Sequence, residues 1–149
     1  RLKKTEMQLT TSTMLQTITL ITIYDSFNGT SWENQEGWLD LGEECFWHGV
    51  QCNDDDIVTR IVLEQNKLVG NIPNEIGFLI NLQILNLHKN EITGSLPSTM
   101  HMLKHLNHLI LESNQLEGYL PTRFPPNLQI LALQSNKLTG TISHNLFLE

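Results

Sequence analysis

Residues 58–81, VTRIVLEQNKLVGNIPNEIGFLIN, are followed by a second copy at 82–105, a third at 106–127 and an incomplete fourth from Leu128. The asparagine after each apolar stripe falls at Asn66, Asn90, Asn114 and Asn136, in steps of 24, 24 and 22 residues, and Gly70, Gly94, Gly118 and Gly140 keep the same steps. A fixed period in the twenties, with leucine or isoleucine at set offsets in each copy, marks a solenoid of stacked repeats. The repeat therefore decides the architecture before any other feature is weighed.

Each copy has a physical logic. In Leu82-Gln-Ile-Leu85-Asn-Leu87, Leu85 and Leu87 alternate with polar neighbours and point to one face of a short strand, while Ile84, Asn86 and His88 point to the other. One parallel strand per repeat follows. Asn90 then lies where the chain turns, and its amide can bond open backbone groups of its own and the next turn, so the four asparagines are expected to form a ladder. The glycine four residues later permits a positive φ, and Pro73, Pro97 and Pro121 hold the return segment extended; the fourth copy has Ser143 there. A single copy has too little apolar surface to fold alone, so neighbours must cover one another and each end of the stack needs a cap. A cap is legible at the N-terminal end only.

At 149 residues and 40% hydrophobic content the chain fits one globular domain with a sizeable core. Its net charge of -7 is unevenly placed. Residues 5–56 carry ten acids and no Lys or Arg, whereas 57–149 carry six of each sign. That distribution argues against a nucleic-acid partner, which requires a basic face; simple solubility accounts for the acids equally well. The uncharged run 7–24 is half polar, nine of its eighteen residues, and is too polar to span a membrane. The chain opens on Arg1 without the serial regions of an export signal, the pattern of a mature or excised piece. Apolar residues at Met14, Ile18, Ile21 and at Leu20, Tyr24, Phe27 predict one buried side of a helix packed on the first repeat, with residues 1–6 frayed.

Trp32, Gly37, Trp38 and the block Cys45-Phe-Trp-His-Gly-Val-Gln-Cys52 resemble the N-terminal cap of plant-type leucine-rich-repeat proteins, a group that includes receptor-like kinases, receptor-like proteins and polygalacturonase inhibitors. The repeats resemble the same subclass through L-x-G-x-I-P at residues 68–73 and near versions at 92–97 and 116–121. The match covers roughly residues 14–142. The resemblance implies an α/β solenoid: a right-handed leucine-rich-repeat superhelix with a parallel concave β-sheet, a helical disulfide-tied cap over residues 1–57 and repeats over 58–149. It also implies a Cys45–Cys52 disulfide, worth about 2.5 kcal/mol for an eight-residue loop in the chain-entropy model. The rival reading, a metal site, lacks the C-x2-C spacing of zinc knuckles. A disulfide in turn implies an oxidising, secretory location. The third copy departs from the pattern: it is two residues short around Arg123-Phe-Pro-Pro-Asn127, so its convex helical turn should be lost. Beyond Gly140 no second cap is legible, which leaves the last strand's apolar face bare or covered by residues outside this sequence.

Asn28-Gly-Thr30 is a glycosylation sequon, consistent with that location and equally with an unmodified loop. His101, His105 and His108 suggest a helical metal set in isolation, but the repeat register puts them on the convex return, in a loop and on the concave strand. Glu64, His88 and Glu112 occupy equivalent outward positions, about 4.8 Å apart per step, and should form a row. A solvated charge ladder is the simpler reading, with a metal or catalytic site as its rival. Asp54-Asp-Asp56 reads as a solvated turn rather than a Ca²⁺ loop. No G-x-S-x-G, H-E-x-x-H, G-x-G-x-x-G or phosphate-loop motif occurs.

The expectation is a noncatalytic extracellular or cell-surface module, without cofactor or metal, that binds a protein or peptide through its concave face. The candidate face comprises Arg60, Val62 and Glu64 on the first strand and Ile84, Asn86, His88 and Lys89 on the second. His108, Ile110 and Glu112 follow on the third, and Ile130, Ala132 and Gln134 on the fourth. The columns Arg60–Ile84–His108–Ile130 and Val62–Asn86–Ile110–Ala132 mix apolar and polar groups, as protein-binding surfaces do. The resemblance suggests a receptor-like ectodomain whose intact chain carries further repeats or a C-terminal cap beyond residue 149. Two alternatives are a secreted inhibitor of an extracellular hydrolase and a structural or surface-adsorbing solenoid, including an ice binder. The latter wants a regular threonine row that these positions do not supply.

Overall fold

The computed structural model describes residues 2–141, with residues 2–11 as backbone alone. The position of Ser143 in the fourth copy lies outside the described residues. Among the described residues, helix α1 (Leu2–Ser26) leads into nine short strands: β1 (Val50–Cys52), β2 (Val58–Val62), β3 (Val69–Asn71), β4 (Ile84–Asn86), β5 (Glu91–Thr93), β6 (His108–Ile110), β7 (Glu117–Tyr119), β8 (Ile130–Ala132) and β9 (Lys137–Thr139).

The main sheet has the order β1-β2-β4-β6-β8. Its four repeat strands are parallel, with Ile61, Leu85, Leu109 and Leu131 in one register and their neighbours Arg60, Ile84, His108 and Ile130 in the next. The cap contributes a fifth strand that the repeat pattern does not foretell: β1 runs antiparallel to β2, closing the first edge of the sheet. The intervening hairpin is Asn53-Asp-Asp-Asp-Ile57, where the Asn53 side chain accepts the N–H groups of Asp55 and Ile57 at 3.1 and 3.0 Å. The three aspartates thus stand exposed on a turn that Asn53 organises. Gly49, just before β1, has φ +80°, and a Cβ there would lie 2.3 Å from the Val62 carbonyl oxygen. The glycine of the cap motif is what allows β1 to close on β2.

On the return path, single 3₁₀ turns occupy Asn74–Phe78 and Ser98–Met102, each preceded by the proline of its copy. The third copy has no such turn, as its two-residue shortening predicts. Phe124 is still buried there, so the extended Pro-Pro segment keeps an apolar plug while giving up the helical turn. Two small parallel pairs, β3 with β5 and β7 with β9, take in Gly70 and Gly118 and end just before Gly94 and Gly140.

The ladder asparagines form, but they reach backward. Asn90 Oδ1 accepts the N–H groups of Asn66 and Leu68 at 3.0 Å each, and its Nδ2 donates to the carbonyls of Leu63 and Leu87 at 2.8 and 2.9 Å. The expected bonds to the next turn are instead bonds to the preceding one. Asn114 and Asn136 repeat the arrangement on Ile92 and Leu116. Asn66, with no earlier repeat, bonds both backbone groups of Asn34 in the cap.

Helix α1 corrects a second expectation. Leu20, Tyr24 and Phe27 are buried as predicted, together with Ile23. Met14 and Ile18, assigned to the same inward side, are 64% and 54% exposed. Their places are taken by Gln16 and Thr19. Gln16 accepts the Val58 N–H at 2.7 Å and donates to the Asp56 carbonyl at 3.1 Å, groups at the start of β2 that need partners away from water. The helix also begins earlier than the sequence suggests, since residues 2–6 continue it.

The cap interior is aromatic. Tyr24, Trp32, Trp38 and Trp47 pack with ring centroids 4.8 to 5.7 Å apart. Each indole N–H donates to a carbonyl, of Phe27, His48 and Asp40 respectively, at 2.9 to 3.0 Å. Cys45 and Cys52 are bonded, with Cα atoms 5.5 Å apart. Alkylation without reductant should therefore leave the intact mass unchanged, and addition of two alkyl groups would refute the bond.

Candidate recognition face

The strand register turns the candidate residues into an array. Arg60, Ile84, His108 and Ile130 form one column and Val62, Asn86, Ile110 and Ala132 the next. Alternation places the buried partners Ile61, Leu63, Leu85, Leu87, Leu109 and Leu111 on the opposite side, in the core. Ile84, Asn86, His108 and Ile110, at the centre of the array, are half-buried by their neighbours yet reachable, and Arg60 and Ile130 at its ends are exposed. Leu131 and Leu133, beneath the last strand, are only partly buried, unlike their counterparts in earlier copies.

The third column, Glu64, His88, Glu112 and Gln134, is linked through the backbone. The N–H groups of Gln65, Lys89 and Ser113 bond the carbonyls of His88, Glu112 and Gln134 at 2.9 to 3.0 Å. Its side chains do not form the simple row expected. His88 Nδ1 lies 3.0 Å from Glu112 Oε1, off the line of a hydrogen bond. Glu64 instead accepts from Asn86 Nδ2 at 2.7 Å, and Asn86 Oδ1 accepts the His88 N–H at 3.1 Å. Asn86 therefore stands between the two columns and takes the carboxylate that was expected to face the imidazole. Lys89, at the strand end, has φ +53° and is exposed.

The three histidines at 101, 105 and 108 are not brought together. His101 bonds the Ser98 carbonyl within its own 3₁₀ turn, His105 is exposed on the loop, and His108 contacts the Asn107 side chain on β6. Among the described residues no group of three His, Cys, Asp or Glu could hold a metal ion. Asn28 is exposed, in the left-handed region at φ 54°, with its amide on Ser31 Oγ at 2.9 Å. A Cβ on the adjoining Gly29 would meet the Tyr24 ring, so packing requires that glycine whether or not the sequon is used.

Comparison with known proteins matches this geometry. The profile described as Leucine Rich Repeat matches residues 81–103. A probable leucine-rich-repeat receptor-like serine/threonine-protein kinase of Arabidopsis thaliana is 40% identical over 42 residues, 28% of this chain and 6% of that protein. The Arabidopsis receptor kinase HAESA, solved with the peptide hormone IDA and the co-receptor SERK1, superposes with a TM-score of 0.73 at 30% identity, over 85% of this chain and 22% of that one. The fold is that of a leucine-rich-repeat solenoid. The leucine-rich-repeat ectodomain of the Arabidopsis thaliana receptor kinase SOBIR1 also superposes, with a TM-score of 0.68 at 29% identity, over 80% of this chain and 66% of that one. This leucine-rich-repeat chain thus spans about a fifth of the HAESA chain and a small fraction of the kinase relative. Among its described residues, no helix is long and apolar enough to cross a membrane.

Proposed function

We propose that the chain is a noncatalytic recognition module of a larger extracellular, receptor-like protein, with residues 1–57 as its cap and 58–149 as its repeats, and that it holds a protein or peptide ligand on the concave face. The observation that carries this reading is the pair of registered columns. Four adjacent strands present Val62, Ile84, Ile110 and Ile130 among Arg60, Asn86 and His108, on residues that have no part in the core. Such mixed surfaces supply apolar area for affinity and fixed polar groups for orientation. The Cys45–Cys52 bond supports an oxidising location, where such a module would meet secreted ligands. HAESA, a protein of the same architecture, is solved with a peptide hormone, which supports a peptide as the ligand class.

The experiment is a pull-down from an extracellular fraction, paired with thermal unfolding. Ile84→Glu, His88→Ala, His108→Glu and Ile110→Glu should each abolish capture of the partner while moving stability by under about 0.5 kcal/mol, since the positions lie outside the core. Changes at Glu75, Lys104 and Arg123 on the convex side should alter neither. Capture lost by the convex variants and kept by the concave ones would place the ligand elsewhere.

A further inference from the structure

The exposed apolar residues of α1 do not stand alone. Met14, Ile18 and Ile21 on the helix face Leu41 of the cap loop across a cleft of about 680 Å³, floored by Gly42 and Glu44. Leu41 is 70% exposed, so this is an open apolar surface rather than a flaw in the core. A second cleft adjoins it, sharing Gly42 and Glu44, and is lined by Glu43, Phe46 and Asp56. Phe46 is 80% exposed although it sits inside the Cys45–Cys52 loop, whose covalent closure limits the backbone that carries it. Glu44 is held between the two, its carboxylate accepting the Thr17 hydroxyl at 2.8 Å and the Gly42 N–H at 3.2 Å.

Charge decides what such a surface can receive. Residues 1–57 carry ten acids against the three bases Arg1, Lys3 and Lys4, and residues 12–56, from which both clefts are lined, carry nine acids and no Lys or Arg, so the field at Glu43 and Asp56 is negative. An anionic membrane surface would be repelled by this field. We propose that the paired clefts form a second docking surface, separate from the concave face, for an amphipathic protein segment that sets apolar side chains against Met14, Ile18 and Leu41 and places Lys or Arg beside Glu43 and Asp56. Apolar contact supplies the affinity and opposite charge supplies the orientation and the on-rate. The disulfide loop presents Phe46 as an exposed aromatic contact on the second cleft.

The probe is a labelled peptide of about four helical turns built from leucine and lysine at helical spacing, titrated by fluorescence anisotropy against the intact chain. Two companion peptides replace its lysines by glutamate or its leucines by serine. The wild type should bind the leucine–lysine peptide and neither companion, with affinity falling as salt rises. Ile18→Asp and Leu41→Asp, both at exposed positions, should weaken binding at least ~10-fold, in line with loss of a central contact. Ile84→Glu and Ile110→Glu on the concave face should leave it unchanged. Unchanged affinity in the Ile18 and Leu41 variants, or equal binding of the glutamate or serine peptide, would overturn the assignment. So would sedimentation showing a wild-type dimer that Ile18→Asp abolishes, since the occupant would then be a second copy of the chain.

Discussion

Gly70→Ala should lower the stability of the chain by about 3–5 kcal/mol, whereas Gly118→Ala, at the same place in its repeat, should cost only about 1 kcal/mol. Gly70 has φ +125°, and a Cβ built on it would lie 2.0 Å from the carbonyl oxygen of Ser26, at the end of α1. That oxygen belongs to backbone and cannot swing aside. The neighbouring Val69 N–H bonds the Phe27 carbonyl at 3.2 Å, so the first repeat is pressed directly against the chain leaving the helix. At Gly118 the φ is +80° and the nearest atom is Ser95 Cβ at 3.5 Å, an ordinary contact that leaves only left-handed strain. Denaturant midpoints for the two variants test this. Equal losses would mean that φ alone, not the seat of the helix, sets the cost.

Asn90→Ala should cost about 3 kcal/mol, because it takes the side-chain partner from the buried N–H groups of Asn66 and Leu68 and from the Leu63 carbonyl together, while the Leu87 carbonyl keeps its bond from Asn114. Asn86→Ala, four residues earlier and on the accessible face, should cost under about 0.5 kcal/mol. Chemical denaturation of the pair provides the check. Similar midpoints would show that the register placing Asn90 inward and Asn86 outward is incorrect.

The difference between these two asparagines was legible in the sequence, because a period of 24 with alternating leucines leaves no freedom about which face each position takes. The columns from Arg60 to Ile130 and from Val62 to Ala132 follow from the same constraint. The loss of the third helical turn was legible too, from the shortening and from Pro125-Pro126. Where the repeat ends, so does that power. Helix α1 carries two apolar stripes, and helical spacing alone does not say which one is buried. The choice is made by the start of β2, whose open backbone groups need Gln16, and this turns Met14 and Ile18 to the outside. The strand β1 was missed because Val50-Gln-Cys52 is short; its signal lay in Gly49 and in the Asn53 turn that follows. On the face itself, equal spacing of Glu64, His88 and Glu112 suggested a continuous row, but a side chain chooses among all groups in reach, and Glu64 finds Asn86.

The backward reach of the asparagines gives the solenoid an order of completion. The turn at Asn66 and Leu68 is not sealed by anything in its own copy; it is sealed by Asn90, one period later. The turn at Ile92 waits in the same way for Asn114, and that at Leu116 for Asn136. A chain emerging from the ribosome with its N-terminus first would therefore always carry one unfinished turn, the newest, while every earlier one is already closed. Maturation would trail synthesis by a single repeat, starting from the cap, where Asn66 locks onto Asn34 as soon as the first repeat has emerged.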